Sequence, residues 1–157
     1  MRQLLTLVLL SFFMGAACNK EKLPEFYFTC KVDGKEYVPD NCANCRTAKV
    51  LRDTVFLING NRGFETVRIG LNDKDGVQQK TYVLNGSFSG SAAYDNSPSV
   101  LDIFKTDSVR TGVLNITSVD KAQKTISGTF SFDAYNAVQN KTVKVTEGKF
   151  RLKYDTN

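Results

Sequence analysis

The chain contains no histidine and no tryptophan. The missing histidine excludes Ser-His-Asp and Cys-His catalysis, histidine-ligated zinc and the usual proton shuttle near neutral pH. The missing tryptophan excludes a Trp-based sugar platform and leaves Tyr and Phe for stacking on a ligand. A glycine-rich phosphate loop between a strand and a helix is also absent. We therefore expect no catalytic residue, no metal site and no cofactor.

The chain also lacks an apolar run long enough to span a membrane. Its longest run, Leu4 to Met14, is shorter than the roughly 20 residues that a spanning helix needs. Arg2 precedes this run and the small residues Gly15 to Ala17 follow it, which is the pattern of a signal peptide. Residues 1–17 are therefore predicted to be a leader that is removed on export.

Cys18 follows the leader directly. A cysteine after small residues resembles the lipobox of bacterial lipoproteins, in which the thiol takes a diacylglyceryl group and becomes the new N-terminus. The resemblance implies a lipoprotein signal peptide and a membrane anchor at the cell envelope, in the outer membrane, on its periplasmic or cell-surface face. Gly15 stands where the lipobox usually has a branched residue, so simple secretion after a cut at Ala17 stays open. Residues 18–25 are polar and are expected to form a short tether.

Length and charge limit the remainder of the chain. Removing residues 1–17 leaves 140 residues, enough for one domain, and we predict a single β domain over residues 26–157. The chain from Cys18 onward carries 20 basic against 16 acidic residues, a mild excess. We interpret Lys149, Arg151 and Lys153 as basic residues scattered along a strand rather than clustered. That interpretation favours a solvated face over nucleic-acid binding.

Alternation of apolar and polar residues recurs along the mature chain and predicts short β-strands. Asp33-Gly34 between two such runs predicts a type I′ hairpin turn, and the segment from Asn59 to Gly63 is predicted to turn the chain again. The clearest alternation, from Thr125 to Ala134, sets a Phe-lined face against a hydroxyl-lined face, so one side should pack a core. The alternation changes phase at Glu147-Gly148, which predicts a β-bulge or a tight turn.

No window of about twelve residues in the mature chain shows helical periodicity with caps. We therefore predict an all-β fold, an antiparallel meander of about nine or ten strands that forms a sandwich or an up-and-down, calycin-like barrel. Periodicity does not choose between the sandwich and the barrel.

Four segments carry a resemblance to a known family. They are Phe28 to Tyr37, Gly112 to Thr117, Ile126 to Phe132 and Thr146 to Phe150. Together with the lipobox, they resemble a family of small Bacteroidetes-type lipoproteins that carry a domain of unknown function. The resemblance covers nearly the whole mature chain. It implies an envelope location and an all-β fold, but no reaction.

Three cysteines lie close together in the mature domain, at Cys30, Cys42 and Cys45. A disulfide from Cys30 to Cys42 or Cys45 is the favoured interpretation, because an exported protein meets an oxidising compartment. Such a bridge would pin the loop from Pro39 to Arg46 to the first strand and contribute roughly 3 kcal/mol. Three free thiols are one alternative, and a redox or zinc motif at Cys42-x-x-Cys45 is another.

Two three-residue segments resemble the Asp-Ser/Thr-aliphatic sequon on which some bacteria O-glycosylate exported proteins. They are Asp53-Thr54-Val55 and Asp107-Ser108-Val109. Thr54 and Ser108 are therefore candidate O-glycosylation sites, with ordinary strand-end chemistry as the alternative.

Three functions remain open. The preferred one is a non-enzymatic envelope lipoprotein that presents loops to a protein partner or a glycan. The candidate loops run from Pro39 to Arg46 and from Asn85 to Pro98, with Asn44, Phe88 and Tyr94 as candidate contact residues. The second is a barrel that holds a small apolar ligand inside its Phe-lined face. The third is a hydrolase that uses an Asp/Glu pair.

Overall fold

The computed structural model describes residues 25–97 and 102–156, so the predicted leader, Cys18 and most of the tether lie outside the described residues. Over these ranges the chain forms eleven β-strands and no helix. The strands are β1 Tyr27–Val32, β2 Lys35–Tyr37, β3 Arg46–Leu51, β4 Val55–Arg62, β5 Glu65–Asn72, β6 Thr81–Leu84, β7 Gly90–Asp95, β8 Ile103–Lys105, β9 Gly112–Asp120, β10 Thr125–Asn136 and β11 Lys141–Thr156. The described part of the chain therefore contains no helix that could cross a membrane.

The strands form one sheet in the order β2-β1-β11-β3-β4-β5-β7-β8-β10-β9-β6, and a further pairing of β10 with β11 joins the sheet to itself. The strands between β11 and β10 in this order therefore make a closed ring. The hairpin β1–β2 extends from β11, and β9 with β6 extends from β10. The all-β fold and its sandwich- or barrel-like arrangement are confirmed.

The number and direction of the strands differ from the expected antiparallel meander of nine or ten strands. Eleven strands are described, because the chain turns between β3 and β4 at Arg52 and Asp53, where φ is 49° and 60°. The alternation of apolar residues does not reveal this turn, which contains no glycine. The end of β11 pairs in parallel with β3, with Tyr154 opposite Ala48.

The turn predicted at Asn59 to Gly63 starts later in the structure than the sequence predicts. Strand β4 continues through Gly60 to Arg62, and the chain turns at Gly63, where φ is 56°. Gly60 lies in the strand because the ring of Phe28 packs against it. A Cβ atom at Gly60 would stand 2.7 Å from that ring. Gly60 therefore allows close packing inside the sheet rather than a turn.

Two local features of the strands agree with the sequence. Asp33 and Gly34 both have positive φ, 48° and 78°, and join β1 to β2. The bulge predicted at Glu147-Gly148 is confirmed: φ of Glu147 is 54°, and the β10–β11 register shifts between Phe130 and Phe132. Because of the bulge, the apolar residues on both sides of it face the core although they differ in parity.

Phenylalanine rings fill the space inside β1, β10 and β11. The ring centroid of Phe130 lies 5.2 Å from that of Phe28 and 6.3 Å from that of Phe150. A Cβ atom at Gly128 would stand 2.8 Å from the Phe150 ring, and one at Gly148 would stand 2.5 Å from the Phe130 ring. Each of these two rings thus packs on the glycine backbone of the other strand. The Phe-lined face of β10 packs a core, as its alternation predicts.

Replacing Gly148 by alanine tests this close packing. We expect Gly148→Ala to reduce the free energy of unfolding by about 1–3 kcal/mol, because the added methyl group overpacks the Phe130 ring. The matched control is Gly70→Ala in β5, where the nearest atoms to a new Cβ lie at 3.5 Å. The control should be neutral or stabilising by up to about 1 kcal/mol. Denaturant unfolding measures both, and equal losses would contradict the packing argument.

Candidate functional site: a cleft at one end of the strands

A cleft of about 1090 Å³ opens at one end of the strands. Four parts of the chain line it: the β3–β4 turn, the β5–β6 loop, the β9–β10 turn and the end of β11. Val50, Val77 and Val119 form an apolar floor that packs against the core. Side chains with amide, hydroxyl, carboxylate and ammonium groups surround this floor. We call this site the end cleft.

The first wall of the end cleft consists of the β3–β4 turn and the β5–β6 loop. The backbone N–H of Asp73 donates to the carbonyl of Thr54 at 2.9 Å, which ties the loop to the turn. The Asp73 carboxylate also accepts a bond from the backbone N–H of Asp75 at 3.1 Å. Gly76, with φ of 78°, lies so close to the turn that a Cβ atom there would stand 3.1 Å from the carbonyl oxygen of Asp53.

Asp73 is also the centre of a side-chain cluster that holds the same loop. Its Oδ2 atom lies 2.6 Å from Lys80 Nζ, and the Tyr82 hydroxyl donates to it at 3.1 Å. The backbone N–H of Gln78 in turn donates to the Tyr82 hydroxyl at 2.9 Å. The hydrogen bond from Lys80, followed by that from the Asp75 backbone, lowers the pKa of Asp73 below its usual value. The loop is therefore fixed before any ligand arrives.

The second wall consists of the β9–β10 turn and the end of β11. The Asp120 carboxylate accepts bonds from two backbone N–H groups of the turn, each at 2.9 Å. The backbone N–H of Tyr154 donates to the carbonyl of Lys124 at 2.9 Å, and Lys124 Nζ donates to Thr156 Oγ1 at 3.2 Å. These bonds attach the turn to β11. Both walls of the end cleft are thus held by the fold itself.

The end cleft combines an apolar floor with convergent polar groups, which is the usual make-up of a ligand site. Its carboxylates, Asp53, Asp75 and Asp120, are exposed or half-buried. Among the described residues no Asp or Glu belongs to the buried core, although the Asp73 side chain is only 9% exposed and pairs with Lys80. The described residues also contain no group of three or more His, Cys, Asp or Glu arranged to hold a metal ion.

Tyr94, a predicted contact residue, lies in the core instead. It belongs to β7, where Ala92 and Tyr94 both face inward, and it is only 5% exposed. Its hydroxyl donates to Glu65 Oε1 at 2.5 Å. The expectation that Tyr94 contacts a partner is therefore wrong, because strand alternation turns the side chain into the interior.

A polar network containing Tyr94 closes the end of the strands opposite the cleft. The Arg62 guanidinium donates to Glu65 at 2.7 Å and lies 4.5 Å from the centroid of the Tyr37 ring. Tyr37 donates to the carbonyl of Gly60 at 2.8 Å. Burial alone would raise the pKa of Glu65, but the bonds from Tyr94 and Arg62 outweigh it and lower that pKa. This end is filled by side chains, whereas the other end is open.

The two predicted binding loops do not line the end cleft. Asn44 is exposed, but its loop lies at the closed end, where the carbonyl of Asn44 accepts a bond from Asn61 Nδ2 at 3.0 Å. Strand β4 separates Asn61 from Thr54 in the cleft by about 25 Å of extended chain. Phe88, in the β6–β7 loop, is 84% exposed and also lies outside the cleft lining.

The two candidate glycosylation residues have different surroundings. Thr54 is half-buried in the wall of the end cleft. Ser108 is exposed in a turn where the Asp107 carboxylate accepts bonds from the backbone N–H groups of Val109 and Arg110, at 2.8 and 2.6 Å. These bonds lower the pKa of Asp107. They give Asp107 a structural role in the turn, and modification at Thr54 or Ser108 stays a prediction.

The sequence profile of DUF6252, described as a domain of unknown function, matches residues 26–152. The chain belongs to this family. The match includes β1 to β10 and most of β11, so the DUF6252 domain contains nearly all of the fold. No curated protein and no solved structure gives a significant match.

The disulfide in the DUF6252 domain differs from the expected one. Cys42 bonds to Cys45, with their Cα atoms 5.2 Å apart, and Cys30 is a buried free thiol. Cys30 faces the core from β1 beside Tyr37, and burial raises its pKa to about 12. The favoured pairing with Cys30 is therefore wrong. The Cys42–Cys45 bridge closes a shorter loop than the expected bridge would. It therefore contributes only about 2 kcal/mol to the stability of the fold.

The sequence pattern does not identify Gln78, Gln79 or Ser118 as site residues, although they line the end cleft. It identifies the segments on which they lie as turns and strand ends. Their convergence depends on which strands are neighbours in space, and alternation within one strand does not contain that information. Among the residues that the structure describes, only Thr54 is both a predicted site residue and part of this cleft.

Replacing Asp73 tests what holds the first wall. The folded-state pKa of Asp73 is lower than its unfolded-state pKa. Its carboxylate therefore stabilises the fold at pH values above the unfolded-state pKa, and this stabilisation is lost as the pH falls through the folded-state pKa. We expect Asp73→Asn to lower the melting temperature by roughly 2–4 °C at pH 7. The difference from the unsubstituted protein should shrink below about pH 4.

Asp75→Asn is the matched control, because it makes the same chemical change on an exposed side chain of the same loop. It should leave the melting temperature nearly unchanged at both pH values. A deficit of Asp73→Asn that persists unchanged in acid would contradict the role of the carboxylate charge.

Proposed function

We propose that this DUF6252 protein is an envelope-anchored lipoprotein whose β domain is non-catalytic and binds a glycan in the end cleft. The observation that carries the binding function is the cleft itself, whose two walls are held by internal hydrogen bonds. A site that is formed in advance loses little conformational entropy when it binds. No carboxylate pair in the described residues has the burial expected of a hydrolytic site.

The lining of the end cleft supports a glycan as the ligand. A sugar ring has hydroxyl groups at its edge and apolar C–H groups on its faces. Gln78, Gln79 and Ser118 offer amide and hydroxyl groups to the edge, and the valine floor offers an apolar surface to the faces. A volume of about 1090 Å³ lies just above the range of about 300–1,000 Å³ for small-ligand sites, so it suits a chain of several sugar units.

The packing of the Phe-lined face argues against the alternative of an apolar carrier. Phe130 contacts Phe28 and Phe150 on the inner face of three neighbouring strands, with centroid distances of 5.2 and 6.3 Å. They take up the space in which an apolar ligand would lie. The end cleft is instead rimmed by charged and amide groups, which an apolar ligand cannot use as hydrogen-bond partners.

The position of the cleft is consistent with an anchor at Cys18. Strand β1 begins at Tyr27, which pairs with Arg151, and Tyr154 in the cleft follows shortly after on β11. The tether therefore joins the domain near the end cleft. A diacylated cysteine with a further chain would hold stably in a membrane.

A glycan array tests the binding function. We expect the purified protein to bind a subset of bacterial oligosaccharides and Gln78→Ala/Gln79→Ala to lose at least tenfold in affinity, because two amides of the cleft are removed. Asn44→Ala and Phe88→Ala, on the two loops outside the cleft, serve as controls and should bind normally. A loss of glycan affinity in the controls but not in the cleft variant would show that the glycan binds to the loops instead. A protein that binds no glycan on the array contradicts the proposal.

Mass spectrometry of the mature protein tests the anchor. We expect the N-terminal peptide to begin at Cys18 and to carry the mass of a diacylglyceryl group, with Cys18→Ser abolishing both lipidation and recovery in the membrane fraction. A mature protein that begins at Cys18 with a bare sulfur would identify a secreted protein instead.

A further inference from the structure

Three exposed cations lie in a row on the outer face of β11. They are Lys149, Arg151 and Lys153, and they alternate with buried residues that face the core. Residues on one face of a strand are about 6.8 Å apart, so the three charges extend over roughly 14 Å. The interpretation of these residues as scattered is therefore wrong, because the two-residue period of the strand collects them on one face. We call them the basic row.

The neighbouring strands place uncharged groups beside the basic row. On β10, Thr129 pairs with Lys149 and Ser127 pairs with Arg151. On β1, Thr29 pairs with Lys149 and Tyr27 pairs with Arg151. The Nζ atom of Lys153 lies 5.5 Å from the centroid of the Phe26 ring. The row is thus bordered by hydroxyl groups and two aromatic rings, with no carboxylate at these paired positions.

The other half of the same sheet face differs in charge. Lys144 forms an ion pair with Asp133 at 3.2 Å, and Lys31 forms one with Glu147 at 2.8 Å. The cations near the bulge are therefore neutralised. The three cations of the basic row form no ion pair with a described residue. Their charge is available to an external anion.

The chain enters the domain beside the basic row. Tyr27, at the start of β1, is the register partner of Arg151. Cys18 precedes Tyr27 by nine residues, which span about 30 Å at most when fully extended. A lipid on Cys18 would therefore keep the row within a short distance of the membrane surface. Tyrosine, the residue type at position 27, is also enriched at the membrane interface.

We propose that the basic row docks the domain on an anionic membrane surface by binding lipid phosphate groups. This inference rests on the proposed anchor for its biological setting, but not for its physical test. Each Lys or Arg close to an anionic lipid surface contributes about 1 kcal/mol of attraction, so the row would orient the domain that the lipid anchors. Docking through this face lays β11 along the surface, with the end cleft open to the side.

Vesicle sedimentation tests the docking surface without the lipid. The core over the described residues lies between Phe28 and Tyr154, so the chain from Asn19 onward contains it entirely. This chain is mixed with vesicles of phosphatidylcholine, with or without phosphatidylglycerol. We expect binding only to the vesicles with phosphatidylglycerol, weakening as salt is raised because salt screens exposed charges.

The variant and its control remove equal charge. We expect Lys149→Gln/Arg151→Gln/Lys153→Gln to lose roughly a hundredfold in vesicle affinity. The control, which removes three exposed lysines elsewhere, should stay within about threefold of the unsubstituted chain. It is Lys35→Gln/Lys105→Gln/Lys141→Gln. Melting curves show whether each variant folds. If the triple variant melts early, the vesicle affinity of Arg151→Gln alone is compared with that of the unsubstituted chain.

Three outcomes would overturn the proposal. Binding that does not depend on phosphatidylglycerol shows that lipid charge is not recognised. An equal loss in the control variant shows that net charge alone is responsible. Binding to soluble dextran sulfate through the basic row, without binding to vesicles, assigns the row to an anionic polymer instead. Because the test chain lacks Cys18, these results are independent of the anchor, which the mass of the mature N-terminus decides.

Discussion

The contact between phenylalanine rings and glycine backbone across β10 and β11 is the constraint on which the fold depends. Phe150 of β11 packs on Gly128 of β10, and Phe130 of β10 packs on Gly148 of β11. These two strands also form the pairing that joins the sheet to itself. The rings therefore fill the interior at the place where the ring of strands closes. A larger residue at either glycine would push β10 and β11 apart and would disrupt the packing of the core at the same time.

Because the interior is packed, the candidate functional sites lie on the surface, where the two ends of the strands differ. At one end Arg62, Glu65 and the two buried tyrosines form a network that fills the opening. At the other end, turns and loops stand apart around a valine floor and leave the end cleft open. The outer face of β11 contributes a separate feature, the basic row beside the start of the domain. A ligand in the cleft and a membrane beneath the row would therefore not compete.

The sequence pattern predicts most of the strands, because alternation indicates which side chains of one strand share a face. It also predicts the bulge at Glu147, where the alternation changes phase. It fails where a distant strand decides the outcome: Gly60 is a strand residue because Phe28 packs on it, and Cys30 is unbridged because β1 turns it inward. The end cleft is not predictable for the same reason, since its walls come from four separate parts of the chain. The basic row could be predicted from the two-residue period of β11, because that period places its three cations on one face. The interpretation of these cations as scattered did not use that period.

Hydrogen exchange of the backbone amides tests the central claim most directly. If the rings on β10 and β11 hold the closed sheet together, the amides of these strands and of β1 exchange only through global unfolding. The β5–β6 loop and the β9–β10 turn, which form the cleft walls, should exchange through smaller local openings. Early exchange in the middle of β10 and β11, while other strands stay protected, would contradict the account.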